Sequence, residues 1–282
     1  MGTVIYGSEL SAELKEEIRQ EISWYTSRGR RAPKLAVILV GNNPASLSYI
    51  KGKKKAAEQV GIDLEVTHLS EDASQDELEA HIRICNEDPD TDGILIQLPL
   101  PKGLDDDRAV ALVDPEKDVD GLHPVNVGRL HLGMPGHVPC TPQGIMKILE
   151  RMGCDPDGKT AVVVGRSRLV GAPVARLLQN ANATVTVCHS HTKNLKEICR
   201  SADILVAAIG KPEYITAEYV KEGAYVVDVG VNRKEDGHLC GDVDFEAVKD
   251  IACAITPVPK GVGPMTICSL LQNTLNAYRR KI

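Results

Sequence analysis

Tyr49 and Lys53 stand four positions apart within a stretch of helical character, Ser46 to Val60, so their side chains share one face, while Lys51, Lys54 and Lys55 point elsewhere. An amine beside an aromatic ring can exchange protons with a reactant held on that ring once its charge is suppressed. An exposed lysine titrates near ~10.4, and desolvation disfavours the ammonium form. Gln97 lies at the end of the apolar run Gly93 to Leu98. Pro99 and Pro101 cannot donate to a central ladder, so that strand must stop near Gln97-Leu98. In a parallel sheet this puts Gln97 at the carboxyl edge, where ligands of open α/β sheets collect and where a helix starting at Pro44 to Ser46 also begins. One reading is a polar pocket of Tyr49, Lys53 and Gln97. The other is a solvated basic helix with a partly packed Tyr49, and spacing alone weighs the two equally. Asp118 and Asp120 follow in the loop Pro115 to Pro124. One of them can accept hydrogen bonds from an amino-pyrimidine ring; for Asp118, turn stabilisation is the favoured role.

A second constellation lies in Val162-Val163-Val164-Gly165-Arg166-Ser167-Arg168-Leu169-Val170-Gly171-Ala172-Pro173, which has the order strand, glycine turn, helix start, with Pro173 in the first helical turn. It departs from G-x-G-x-x-G, because Ser167 takes the place of the second glycine and the last glycine comes one residue late. Gly165 still permits the tight turn, and N–H groups from Gly171 onward are expected to face a pyrophosphate. A buried turn without a ligand is the competing reading. About 20 residues past such a turn, NAD-specific domains place an acid against the ribose 2′-hydroxyl. Here that strand ends Val187-Cys188-His189-Ser190-His191-Thr192-Lys193, without an acid. Arg166, Arg168, Ser190 and the histidines offer donors to a 2′-phosphate, so NADP is the expected dinucleotide. For His189 and His191 a solvated loop is the alternative.

The elements that must position these residues alternate. Leu10, Leu14, Ile18 and Ile22 recur every four residues and predict an opening helix from Glu9 to about Arg28. Strands are predicted at Leu35 to Val40, Leu64 to Leu69 and Gly93 to Leu98, with a helix at Ser74 to Cys85 opened by the capping box Ser74 and Glu77. After a Pro- and Gly-rich passage, Pro115 to Pro142, strands are predicted at Thr160 to Val164, Thr184 to Val187, Ile204 to Ala207 and Tyr225 to Val229. Helices are predicted at Ala172 to Gln179, Leu195 to Ser201 and Ala217 to Glu222. Helices near Thr141 to Met152 and Met265 to Tyr278 are expected to bridge back to the first domain. Such alternation gives parallel sheets with crossover helices: an α/β protein whose second half is doubly wound.

A chain of 282 residues suits two domains, and 43% hydrophobic with 26% charged residues excludes a disordered chain. The longest apolar runs fall far short of the ~20 residues a membrane span needs, and no signal segment opens the chain, so a cytoplasmic protein is expected. A formal net charge of −6 argues against nucleic acid as a partner. Cys85, Cys140, Cys154, Cys188, Cys199, Cys240, Cys253 and Cys268 are scattered without a C-x-x-C pair and are expected to be buried thiols. Cys188-His189-Ser190-His191 is the nearest thing to a metal cluster, but consecutive ligands rarely close a tetrahedral site, and no metal is expected.

Six motifs in order, Tyr49-x-x-x-Lys53, Gln97-Leu98-Pro99-Leu100-Pro101, Lys117-Asp118-Val119-Asp120-Gly121, Pro139-Cys140-Thr141-Pro142, Gly165-Arg166-Ser167 with Val170-Gly171-Ala172-Pro173, and Gly261-Val262-Gly263-Pro264-Met265-Thr266, resemble the bifunctional methylenetetrahydrofolate dehydrogenase/methenyltetrahydrofolate cyclohydrolase family. The resemblance runs from about residue 5 to 277. It implies a catalytic, folate-binding α/β domain of residues 1–140 with 264–282 and a Rossmann-type, NADP-binding domain of residues 141–263, with the active-site cleft between them. It further implies that Lys53 is the catalytic amine, Gln97 its hydrogen-bonding tuner, Tyr49 the ring that stacks on folate, and Asp120 the pterin anchor. Gly263 and Pro264 would also contact substrate, and Gly165, Arg166, Ser167, Gly171, Ser190, Val231 and Thr266 would line the cofactor. The implied reactions are oxidation of 5,10-methylenetetrahydrofolate with NADP and hydrolysis of the product to 10-formyltetrahydrofolate, in one-carbon metabolism that feeds purine biosynthesis. A homodimer formed through the cofactor domain is implied as well, and a polyglutamylated folate tail is a fitting partner for Lys51 to Lys55. Lys260 departs from the resemblance, standing where the family usually has glycine; it would alter the floor of the cleft or add charge near the cofactor.

Overall fold

A computed structural model describes residues 2–282. In chain order the elements are β1 (Thr3–Val4), α1 (Gly7–Thr26), β2 (Lys34–Val40), α2 (Pro44–Val60), β3 (Asp63–Leu69), α3 (Gln75–Glu87), β4 (Gly93–Ile96), α4 (Asp106–Leu112), α5 (Pro124–Leu132) and α6 (Cys140–Arg151). There follow β5 (Thr160–Val164), α7 (Gly171–Asn180), β6 (Thr184–Cys188), α8 (Leu195–Arg200), β7 (Ile204–Ala207), β8 (Tyr225–Asp228), β9 (Asn232–Arg233), β10 (Leu239–Cys240), α9 (Phe245–Val248), β11 (Ala254–Ile255) and α10 (Val262–Arg279). They form two compact units: Glu13–Cys140 with Ile267–Ile282, and the residues up to Ala12 with Thr141–Thr266.

The unit of Glu13–Cys140 is built on a parallel sheet of order β3-β2-β4. Alternation along the strands divides its core. Leu35, Val37, Leu39 and Leu95 pack with Ile18 and Ile22 of α1, Ala57 and Val60 of α2, and Leu271, Leu275 and Tyr278 of α10. Ile38, Val40, Ile94 and Ile96 pack instead with Leu78 and Ile82 of α3 and Ala109 of α4. The central strand is therefore apolar and buried from Leu35 to Val40, as a sheet covered on both faces requires. Helix α2 starts where Pro44 follows Asn43, whose side chain accepts from the N–H groups of Ala45 (2.9 Å) and Ser46 (3.2 Å). Ser74 caps α3 by accepting from Glu77 N–H at 3.2 Å.

The other unit is a six-stranded, all-parallel sheet of order β1-β11-β8-β7-β5-β6. Its inner strands β5, β7 and β8 are largely apolar and buried, and Val162, Val164, Leu205, Ala207 and Val226 share one core cluster with Cys199 of α8 and Val248 of α9. The chain turns from β5 to β6 on one side and returns to β7 on the other, so β5 and β7 flank the point where strand order reverses.

Two expectations need correction. The N-terminal residues do not cluster with the 1–140 stretch, because Thr3 and Val4 pair with Ala254 and Ile255 in the six-stranded sheet; at the other end, Pro264 to Thr266 of α10 also belong to this unit. Ala217 to Glu222 is no α-helix: only Ala217–Tyr219 forms a single 3-10 turn, and Gly223 at φ +78° soon reverses the chain. The Pro- and Gly-rich passage, for which no element was predicted, contains α5. Pro124 takes its first turn, His123 Nδ1 accepts from Val125 N–H at 3.0 Å, and Gly133 closes it at φ +67°. Among the described residues no helix is long and apolar enough to cross a membrane.

Candidate functional site

In the first unit α2 carries Tyr49 and Lys53 to the carboxyl edge of β4. Lys53 Nζ donates to Gln97 Oε1 at 2.8 Å. Gln97, one residue past β4 and 8% exposed, has its amide fixed because Nε2 donates to the Leu98 carbonyl at 2.8 Å, which leaves Oε1 towards the amine. Burial pushes the Lys53 amine below the ordinary lysine range, with the charges of Asp120 and Cys140 acting against the shift. Tyr49, four residues earlier, is 55% exposed and leaves its ring open to a flat partner.

The Asp118–Asp120 loop completes this cluster. Asp118 accepts from the N–H groups of Gly121 (3.1 Å), Leu122 (3.2 Å) and His123 (2.9 Å) and from Asn126 Nδ2 (2.8 Å), so it ties the loop, as expected for a turn-stabilising residue. Burial raises its carboxyl to about 6 despite those donors. Asp120 is thereby left facing Lys53 and Cys140; burial raises its carboxyl, and Lys53 and then the Cys140 thiol act the other way. Cys140 is buried, donates to the Val119 carbonyl at 3.3 Å, and is held well above the usual thiol range by burial, then by Asp120. Asn273 supports the floor by donating to the carbonyls of Val119 (2.9 Å) and Val138 (3.0 Å). Spacing did not single out Cys140 or Asn273. The motif Pro139-Cys140-Thr141-Pro142 was the one signal for the former, and Asn273 carries none.

In the second unit Gly165 follows β5 at φ +126°, and a Cβ there would lie 2.2 Å from the Ala208 carbonyl oxygen. A Cβ on Gly171 would lie 2.2 Å from the Gly165 carbonyl oxygen, so α7 packs on the turn as only glycine permits. The expected free donors are engaged differently. Gly171 N–H points to Ser167 Oγ at 3.4 Å and Ala172 N–H to the Ser167 carbonyl at 3.0 Å, so Gly171 serves close packing and Ser167 ties the turn. Arg166, Ser167 and Arg168 are exposed at the mouth of this turn. Past the end of β6, Ser190 and His191 are exposed and His189 half-buried, and Glu197 is the first acid after the strand. The segment past β6 therefore carries a hydroxyl and two imidazoles with no acid between Cys188 and Glu197, a lining that suits a 2′-phosphorylated dinucleotide. Val231 follows β8 and is 58% exposed, and Thr266 Oγ1 pairs with Thr141 Oγ1 at 2.9 Å. Gly263 and Pro264, in the first turn of α10, lie in this unit rather than in the one that holds Lys53; the Pro264 carbonyl accepts from Ser11 Oγ at 3.2 Å. Lys260 takes φ +77°, a left-handed conformation that glycine adopts without strain, so its consequence falls first on the backbone. Among the described residues no group of three or more His, Cys, Asp or Glu is placed to hold a metal ion.

A doubly wound sheet with a glycine turn at its switch point, joined in one chain to an α/β unit with a desolvated lysine, defines the class of nucleotide-dependent α/β enzymes. The chain belongs to the tetrahydrofolate dehydrogenase/cyclohydrolase family: residues 5–120 match its catalytic domain and residues 139–282 its NAD(P)-binding domain. It is 55% identical over 277 residues to the bifunctional protein FolD of Nitratidesulfovibrio vulgaris, covering 97% of this chain and 96% of the relative, and 51% identical over 280 residues to that of Bacillus cytotoxicus, covering 99% and 98%. Among solved structures, the bifunctional FolD of Campylobacter jejuni superposes with a TM-score of 0.98 at 48% identity over 100% of both chains. The Trypanosoma brucei methylenetetrahydrofolate dehydrogenase-cyclohydrolase, complexed with NADP cofactor and inhibitor, superposes with a TM-score of 0.94 at 39% identity over 99% and 98%.

Proposed function

We propose that this protein oxidises 5,10-methylenetetrahydrofolate to 5,10-methenyltetrahydrofolate with NADP and hydrolyses the product to 10-formyltetrahydrofolate. The observation that carries the reading is the Lys53–Gln97 pair, a desolvated amine on a fixed amide oxygen beside an exposed tyrosine ring. Bound NADP supplies the hydride acceptor. The unit of Glu13–Cys140 is the folate-binding one, in which Tyr49 stacks on the folate ring and Asp120, whose raised carboxyl favours hydrogen-bonded partners over a bare charge, anchors the pterin. Gly263 and Pro264 contribute further substrate contacts.

Hydride leaves the methylene carbon once donor and acceptor carbons are held at roughly 3 to 3.5 Å, a step that needs positioning more than proton transfer. Water then attacks the methenyl carbon, one C–N bond of the ring opens, and a proton leaves the water while the departing nitrogen takes one up. Lys53 is placed to serve that exchange, because desolvation favours its neutral form and Gln97 fixes its direction. On the nucleotide side Arg166 and Ser190 hold the 2′-phosphate, Gly165, Ser167 and Gly171 form the cradle, and Val231 and Thr266 line it. The Lys51, Lys54 and Lys55 side chains, exposed on α2, suit the acidic polyglutamate tail of folate. The protein acts in the cytoplasm in the one-carbon supply to purine biosynthesis, as a homodimer whose interface uses the cofactor unit, where edge strand β6 exposes Thr184, Thr186 and Val187.

The test is turnover. Mixed with methylenetetrahydrofolate and NADP, the protein produces NADPH and then 10-formyltetrahydrofolate; binding of NADP without turnover would reduce it to a dinucleotide sensor.

A further inference from the structure

Two buried aspartates on the nucleotide side have no place in the reading above. Asp228 ends β8 and Asp242 follows β10; they are 3% and 0% exposed, and backbone N–H groups and the Asn232 amide donate to them. Asp242 Oδ2 accepts from the backbone N–H of Ile209 (2.6 Å) and Gly210 (3.0 Å), and its Oδ1 accepts from Lys211 N–H (2.9 Å) and Asn232 Nδ2 (2.9 Å). Three consecutive amides converging on one carboxylate form a nest that fixes the loop. Asp228 locks Asp242 in turn, accepting from the N–H groups of Asp242 (2.9 Å), Val243 (2.9 Å) and Gly230 (3.0 Å). Glycines make room for both. A Cβ on Gly230 would lie 2.3 Å from the Asp242 carboxyl, and one on Gly241 would lie 1.7 Å from Asp228 Oδ2.

The loop so held leaves β7, one of the two strands at the switch point. Its first residue, Ala208, donates to the Val164 carbonyl at 2.8 Å and presents its own carbonyl to the flank of Gly165. Open α/β sheets bind their ligands in the crevice at that point, so the Ala208–Lys211 loop forms one wall of it and the Gly165 turn the other. We infer that Asp242 is a positioning residue for the dinucleotide, setting the Ile209–Lys211 backbone at the crevice wall and, through Asn232, the segment that carries Val231. The inference rests on the proposed NADP reading and adds to it the element that shapes the second wall.

Asp242→Asn keeps the shape but turns an NH2 group towards N–H donors, leaving one or two of the loop amides unpaired. NADP affinity, measured by calorimetry on the full-length protein, should fall ~10-fold or more, with a matching rise in KM for NADP. Hydrolysis of methenyltetrahydrofolate, which consumes no dinucleotide, should stay within about twofold of the parent. If Asp242→Asn does not fold, Asn232→Ala removes one of the four donors from the same carboxylate and should raise the NADP Kd by about threefold. A folded variant that binds NADP like the parent, or one in which both activities fall together, overturns the inference. Failure of the parent itself to bind NADP would instead remove the reading on which it rests.

Discussion

The two functional regions are built by opposite means. Around Lys53 the side chains do the work: amine, amide, carboxyl and thiol are packed against one another, and burial shifts Lys53, Asp120 and Cys140 each towards its neutral form. At the Gly165 turn the backbone sets the shape. Two glycines permit close approach, while the polar side chains at the rim, Arg166 and Ser190, stay exposed. A reactive group needs an environment that changes its proton affinity, whereas a nucleotide needs a surface that matches its shape and charge. Substitutions should therefore act on rate in the first region and on affinity or selectivity in the second.

The largest effect is expected at the desolvated amine. Lys53→Met keeps much of the side-chain volume and removes the amine, so cyclohydrolase turnover should fall by ~100-fold or more, the lower range for general acid-base help. Hydride transfer should suffer less, and methenyltetrahydrofolate should accumulate in a coupled assay. Equal losses in both steps would assign Lys53 to positioning alone. The rim should give a smaller and different response. Charge-assisted bonds to a phosphate contribute about 1.5 to 3 kcal/mol, so the parent should prefer NADP over NAD by ~10-fold or more in kcat/KM, and Arg166→Ala should narrow that ratio with little effect on hydrolysis. A parent equally active with NAD would break the contrast at its cofactor side.

Smaller still is Lys260→Gly. Lys260 sits at φ +77°, which costs a side-chain-bearing residue about 1 kcal/mol, and glycine's greater freedom in the unfolded chain returns part of that. The melting temperature should rise by ~1 to 2 °C; a drop would show that the lysine side chain makes a compensating contact. Dialysis against a chelator should change neither activity, since the proposed steps use only the amine and the nucleotide. Activity lost and then restored by zinc or magnesium would contradict this.

Much of this arrangement was legible in the sequence because it is local. The four-residue spacing of Tyr49 and Lys53 fixes a shared helix face, and the prolines after Leu98 mark the strand end that carries Gln97 to the amine. What escaped was non-local or short. Thr3–Val4 and Ala254–Ile255 are two-residue strands without periodicity, and their partnership spans most of the chain. The 3-10 turn at Ala217–Tyr219 lies in a segment too short for helical periodicity to carry weight. Asp242 reads as an ordinary loop acid until the fold brings residues 209–211 to it.

The claim at the centre of this account is that burial makes Lys53 a proton-exchanging amine, and the pH dependence of methenyltetrahydrofolate hydrolysis tests it most directly. Only the neutral amine can take a proton, and its titration is lowered from 10.5, so turnover by the parent should climb with pH and level off at a midpoint below that value. The same measurement on Lys53→Met should give a low rate without that inflection. An unchanged inflection in the variant would contradict the account and assign the titration to another group.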